Sequence, residues 1–289
     1  MASMRQIRSR IRTAKNIQQI TKAMKMVAAA RLKRAQDRVQ AARPYSEKMR
    51  EAMASLGRAV GGSVTHPLLE VREPVRIGVL TITADRGLCG SYATNILKKS
   101  SEVLKPYDPS ITRVLVVGRK GHNFFRRRPY PVVAEYDMNM TGASFAEAQA
   151  IGRKVRELYV SGEVDAVYLV YTKFLSALTQ RPVSIPLLPI APETDDIEPG
   201  IGGEDYLFEP DAESILGRVL PRYVDVLIYQ AMLEAVASEH GSRMTAMSSA
   251  TDNAGKMISG LTLSLNRARQ ANITKEIAEI VGGAEAIKS

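Results

Sequence analysis

The sequence has no tryptophan and one cysteine, Cys89, among 289 residues. A lone cysteine excludes an internal disulfide and suits a reducing compartment. Aromatic residues make up only 6% of the chain, which disfavours a base-stacking or sugar-binding surface. No apolar run approaches the roughly 18 residues that a membrane span needs. Basic residues interrupt any apolar stretch at the N-terminus, so no secretory signal is expected. Glycine is missing before Gly57 and proline before Pro44. Acidic residues are missing from Met1–Arg34, a stretch that holds ten Lys and Arg.

What is present is a large apolar fraction, 45%, enough to bury one large core or two small ones. The net charge of +10 is unevenly spread. Residues 1–58 carry 15 basic groups against three acids, Asp37, Glu47 and Glu51, while the other 231 residues carry 25 basic and 27 acidic groups. The basic excess therefore lies in the first fifth of the chain. Such a block suits nucleic acid, an anionic membrane or an acidic partner surface. A solvated helix face is the plainer alternative.

The first segment, 1–60, reads as one long helix. Apolar residues recur in steps of three and four at Ile7, Ile11, Ala14, Ile17, Ile20, Met24 and Val27, then at Leu32, Ala35, Val39 and Ala42. That spacing predicts a seam packed on another helix. Pro44 is expected to kink it near Ala42–Arg43, and Gly61-Gly62-Ser63 with His66-Pro67 to end it.

The middle, 75–192, changes character. Val75–Thr83, Arg113–Gly118, Val132–Tyr136 and Ala166–Tyr171 are apolar, β-branched runs that predict strands. Helical stretches near Tyr92–Leu104, Lys120–Arg127 and Phe145–Val160 alternate with them, the last opened by the capping-box pattern Ser144-Phe145-Ala146-Glu147. The alternation predicts a Rossmann-like α/β domain with a mainly parallel sheet. Pro182, Pro186, Pro189 and Pro192 confine their segment to an edge strand or exit loop.

From 210 to 289 the helical pattern returns. Met244, Met247, Thr251, Ala254, Ile258, Leu261, Leu265 and Ala268 form a heptad seam. The register slips and resumes at Ile273, Ile277, Ile280, Ala284 and Ile287. Pro221 is expected at a helix start or kink. At 1.5 Å per residue, Met4–Ser55 spans about 80 Å and Leu220–Ile287 about 100 Å. A globule of this chain length is only about 50 Å across. The terminal helices are thus expected to project and to pair with each other or with partners. The fold class is α/β plus a long antiparallel coiled coil.

Chemistry of its own is hard to find. There is no phosphate-cradling Walker motif and no dinucleotide fingerprint. The best glycine loop, Asp85-Arg86-Gly87-Leu88-Cys89-Gly90, comes after the first strand, where α/β sheets often bind ligands. Two glycines three apart more simply make a tight structural turn, with Asp85 and Arg86 tied to backbone or to each other. Cys89 lacks a neighbouring histidine base, since His66, His122 and His240 are isolated, and reads as a small buried residue. No spacing suits a metal site. No catalytic residue, cofactor or metal is expected.

Four segments resemble one family. Residues 17–37, IQQITKAMKMVAAARLKRAQD, are similar to the N-terminal helix of ATP synthase gamma subunits of the bacterial type. TITADRGLCGSYATN at 81–95 resembles their α/β signature. RMTAMSSATDNA at 243–254 and LNRARQANITKEIAEIV at 265–281 resemble their C-terminal helix. The resemblance implies a central-stalk rotor whose terminal helices form a left-handed antiparallel coiled coil inside a ring of alpha and beta subunits. Its α/β foot would sit with epsilon on the membrane rotor ring. Catalysis would occur on beta, and the chain would be peripheral to the cytoplasmic face of the plasma membrane.

The same resemblance implies roles for individual residues. Lys22, Met24 and Lys25 would face beta's acidic lever loop, with Arg243 at that level on the other helix. Arg269, Gln270 and Thr274 would hydrogen-bond beta's catch loop. Tyr206, Phe208 and Glu209 would touch the rotor ring. The chloroplast insertion with its regulatory cysteine pair is missing, so thiol switching is not expected. Lys25 stands in a family region that elsewhere can be acidic. From sequence physics alone, two rivals stay open: a coiled-coil DNA-binding protein using the basic N-terminus, and a small-ligand enzyme built on the α/β domain.

Overall fold

A computed structural model of the chain describes residues 3–60, 66–138, 143–190 and 212–288. It opens with helix α1, Met4–Val60, and closes with helix α5, Ala212–Lys288. Between them lie β1 (Ile77–Ile82), α2 (Tyr92–Leu104), a 3-10 turn (Pro109–Ile111), β2 (Thr112–Val117), α3 (Arg119–Phe125), β3 (Val132–Tyr136), α4 (Phe145–Val160), β4 (Ala166–Phe174) and β5 (Gln180–Leu188). Both prolines expected to bend or start a helix, Pro44 and Pro221, sit inside continuous helix.

The strands form one sheet in the order β3-β2-β1-β4-β5. The first four pair in parallel, and β5 runs antiparallel along the β4 edge. Every residue of β1 is buried, as a central strand covered on both faces requires. Ile77, Val79, Val114, Val116 and Val170 pack with Ile96, Leu104 and Phe125 into a single core cluster. The proline-bearing β5 lies at the sheet edge, where a missing backbone donor costs least. The Ser144 capping box is formed: its hydroxyl accepts from Glu147 N at 3.2 Å, and Glu147 Oε2 accepts from Ser144 N at 2.8 Å.

Gly118 shapes the mouth of the sheet. Its φ of +97° and the 2.7 Å that would separate a Cβ from Thr83 Oγ1 leave no room for a side chain. The Thr83 hydroxyl fills that space, donating to Val117 O at 2.8 Å and accepting from Gly121 N at 3.0 Å.

The chain divides into two compact units, residues 29–243 and the terminal stretches 1–28 with 244–289. The first holds the sheet, α2 to α4 and the inner portions of both long helices. There Leu32, Ala35 and Val39 of α1 are buried, as the seam predicts.

In the second unit the helices pair antiparallel. Thr251 Oγ1 donates to Thr21 Oγ1 at 2.8 Å, Lys25 Nζ donates to Ser248 Oγ at 3.0 Å, and Gly255 lies against Gln18. This register corrects the expected seam on α1. Ile7, Ala14, Thr21 and Ala28 are buried, whereas Ile17, Ile20 and Val27 are exposed. Small and hydroxyl-bearing residues let the backbones approach closely, so the larger Ile and Val side chains turn outward. On α5, Met247 and Ala254 are buried, and the expected seam stays partly covered to Ala268. The resumed seam is uncovered at Ile273, Ile277 and Ile280, which are exposed; the side chains of Ala284 and Ile287 lie outside the described ones. Extending the 18-to-255 register places Met4, where α1 begins, opposite Arg269.

Candidate functional site

The unit of terminal stretches presents an apolar stripe edged with positive charge. Ile17, Ile20, Met24 and Val27 are spaced by three, four and three along α1, the repeat of one helix face. Met24 is half-buried while Lys22 and Lys25 are exposed beside it. Lys25 also reaches across to Ser248. Among the described residues no carboxylate lies within ion-pair distance of Lys22. The stripe therefore suits a partner that is apolar at its centre and acidic at its rim.

Farther along α5, residues 269–281 are all exposed. Arg269, Gln270 and Thr274 project there with Ile273 and Ile277 among them. Lys275 and Glu279 form an exposed pair at 3.5 Å, worth little in water. A helix bare on every side gains nothing from its own core, and its isoleucines stay in water unless another chain covers them.

The glycine loop after β1 is a structural turn. Asp85 Oδ1 accepts from Arg119 N at 2.9 Å and Met138 N at 3.3 Å, tying three segments together. Leu88 and Gly90 take φ of 64° and 58°, while Arg86 points into solvent. Cys89 is buried, and burial together with Glu239 raises its thiol pKa, which keeps it protonated and inert. Gly87 offers its carbonyl to Arg243 Nη2 at 3.2 Å.

That contact places Arg243 inside the fold, only 8% exposed. Its guanidinium also donates to Glu239 Oε1 at 2.5 Å and stands 3.3 Å from His240 Nδ1. Burial raises the Glu239 pKa and Arg243 opposes the rise. A second buried pair joins Arg156 of α4 to Asp225 of α5. Arg156 Nη1 also donates to Pro221 O at 2.9 Å. Gly152 makes the slot for it, since a Cβ there would come within contact distance of Asp225 Oδ1. Burial raises the Asp225 pKa against the pull of Arg156. Sequence reading passed over this pair. The available signal was an acid standing in the apolar run Tyr223-Val224-Asp225-Val226-Leu227, a position that a folded helix can bury only with a partner.

A cleft of about 640 Å³ opens between α1, the start of α4 and α5, lined by Arg38, Tyr45, Phe145, Arg222 and Tyr229. No carboxylate, histidine or cysteine lines it. Among the described residues no cluster of His, Cys, Asp or Glu could hold a metal, and no helix is long and apolar enough to cross a membrane. Tyr206, Phe208 and Glu209 lie outside the described residues.

Three kinds of comparison converge. The ATP synthase family profile matches residues 3–287. An ATP synthase gamma chain from Desulforamulus reducens is 50% identical over 290 residues, covering 100% of both chains. One from Heliobacterium modesticaldum is 51% identical, covering 99% of this chain and 100% of the relative. Among solved structures, the central stalk and c-ring of Tetrahymena thermophila mitochondrial ATP synthase matches with a TM-score of 0.62 and 27% identity, over 80% of this chain and 99% of that one. A chain of the Euglena gracilis mitochondrial enzyme matches with a TM-score of 0.71 at 21% identity, over 98% of this chain and 94% of that one, and shares the fold.

Proposed function

Because the chain belongs to the ATP synthase gamma-chain family, we propose that its two unpartnered helix surfaces are where the central stalk meets the catalytic head. The chain is a central-stalk rotor subunit, and rotation of the membrane ring reaches the catalytic sites through it. Its partners are the alpha and beta subunits, epsilon and the membrane rotor ring. It stays peripheral to the membrane, on the cytoplasmic face, and the chemistry of ATP belongs to beta.

One observation carries this reading: α5 continues past Ala268 with residues 269–281 exposed all round. A shaft that turns inside a ring must offer different side chains at different angles. Each beta conformation is then favoured at the angle where its contact energy is best. Arg269 supplies a planar, permanently charged fork, and Gln270 both donates and accepts. A hydrogen bond to a charged group is worth roughly 1.5–3 kcal/mol, enough to bias one beta state without locking it. The basic rim of Lys22 and Lys25 suits an acidic loop, and each such exposed pair adds about 0–1 kcal/mol. Tyr206, Phe208 and Glu209 are assigned to the ring contact on the resemblance of their segment alone.

Replacing Arg269 and Gln270 together by Ala should slow ATP hydrolysis and synthesis in the assembled complex, with nucleotide binding to isolated beta unchanged. Wild-type turnover in a normally assembled double variant would remove both residues from the coupling surface.

A further inference from the structure

Along α5, residues 231–240 are all buried, yet this stretch is not uniformly apolar. Glu234, Ser238 and Ser242 stand four residues apart and make one stripe. Each bonds to the β4–β5 hairpin: Glu234 Oε2 accepts from Phe174 N at 3.2 Å, Ser238 Oγ donates to Thr172 O at 3.1 Å, and Ser242 Oγ donates to Gln180 Oε1 at 2.9 Å. Ala235, Glu239 and Arg243 make the neighbouring stripe. It meets the region after β1: Tyr92 Oη donates to Ala235 O at 3.2 Å, and Arg243, steadied by Glu239, donates to Gly87 O at 3.2 Å. Gly241 lets the hairpin close down, because a Cβ there would stand 3.1 Å from Ala177 O and 3.0 Å from Gln180 Nε2.

We propose that these two adjacent polar stripes key the α/β domain to α5 against rotation about the helix axis. Apolar burial alone would hold the domain against the helix without fixing its angle, since that attraction has no direction. Hydrogen bonds do fix an angle, because they weaken steeply once misaligned. Side-chain atoms stand about 5 Å from the axis, half the helix diameter, so a turn of about 20° moves them by nearly 2 Å. That displacement breaks the four contacts made by side chains of α5 together, while the Ala235 carbonyl, a backbone atom nearer the axis, moves less than half as far. Two stripes facing different elements resist turning in both senses, which one stripe on one element would not do. The Arg156–Asp225 pair, on α4 and nearer the start of α5, adds a second attachment level. Load entering through the α/β domain thus reaches the shaft with little lost angle. The nature of that load rests on the central-stalk reading; the keying itself does not.

The test uses the assembled catalytic complex, with spin labels on Lys98→Cys of α2 and Arg218→Cys of α5, both exposed in the chain. The width of the distance distribution between the labels, read by electron double resonance, reports play between domain and helix. If the four side-chain contacts act as equal springs, removing two by Ser238→Ala with Ser242→Ala should raise the variance about 2-fold. Leu233→Ala, which truncates a buried apolar contact of the same helix, should lower the melting temperature and leave the width unchanged. Should the double variant fail to assemble, Ser242→Ala alone should widen the distribution by a smaller step. Equal widths in wild type and the serine variants, or equal broadening by Leu233→Ala, would overturn the proposal. ATP-driven rotation in the same samples tests the stalk reading separately.

Discussion

Two stretches of α5 share one helix and have opposite surroundings. Residues 231–240 are buried without exception, while residues 269–281 are exposed without exception. The first stretch carries Glu234 and Ser238, both bonded to β4, and Glu239, bonded to Arg243 of α5 itself. The second carries Ile273, Ile277 and Ile280 in water. In the buried stretch the polar groups are constrained and the packing is complete within the chain. In the bare stretch the apolar groups are the incomplete ones, with no covering side chain among the described residues. Helix propensity does not separate the two stretches; what differs is who supplies the covering surface.

The contrast predicts sharply different costs of substitution. Arg156→Ala would leave Asp225 buried without its cation, in a slot that Gly152 keeps too tight for a side chain. Breaking a buried ion pair by removing one partner costs about 3–5 kcal/mol, so urea unfolding of the purified chain should show a loss of that order. A loss below about 1 kcal/mol would mean that the interior tolerates the bare carboxylate by protonating it.

A smaller effect comes from Asp165, whose side chain is 6% exposed while its partner Arg76 is 48% exposed. Hydrogen bonds from Arg76 hold the Asp165 pKa below its ordinary 3.8. Linkage sets the sign: the contribution is present above the ordinary value and is lost as pH falls through the lower, folded one. Wild-type stability should therefore drop more steeply than that of Asp165→Asn as pH falls below 3.8. Parallel curves in acid would show that this pair behaves like an exposed one.

The smallest change in chain stability is expected in the bare stretch. Ile273→Ser with Ile277→Ser should alter the unfolding free energy of the isolated chain by less than about 0.5 kcal/mol, as surface substitutions do. Its effect should fall on the yield of assembled complex, measured by copurification with alpha and beta subunits. Marked destabilisation of the isolated chain would collapse the distinction between the two stretches.

Much of the architecture was readable from the sequence because local rules agreed with tertiary ones. Tyr92–Leu104, Val132–Tyr136 and Phe145–Val160 appear with the boundaries that capping and periodicity predict. The proline-rich run became the antiparallel edge strand β5. The α1 seam was misread for a physical reason. That helix carries two apolar stripes, and periodicity cannot say which one the chain itself covers. The expected seam rightly held Ile7 and Ala14 but continued through Ile17, Ile20, Met24 and Val27 on hydropathy, while the register with α5 selected Thr21 and Ala28. The burial of Arg243 was not legible, because a cation with an acid four residues earlier looks the same on a wet face as in a core. Asp225 was invisible to local spacing, since Arg156 lies 69 residues away.

The pairing of Thr21 with Thr251, 230 residues apart, also orders events during synthesis. At about 5–20 residues per second, the ribosome needs roughly 10–50 s to deliver the partner of a helix already made. Throughout that interval α1 has no covering helix, and its two apolar stripes are equally open to water. The sheet can close meanwhile from contiguous chain, but the stretch 231–240 that caps its mouth arrives late. A nascent chain stopped before α5 would therefore present both α1 and the unfilled mouth of the sheet as sticky surface.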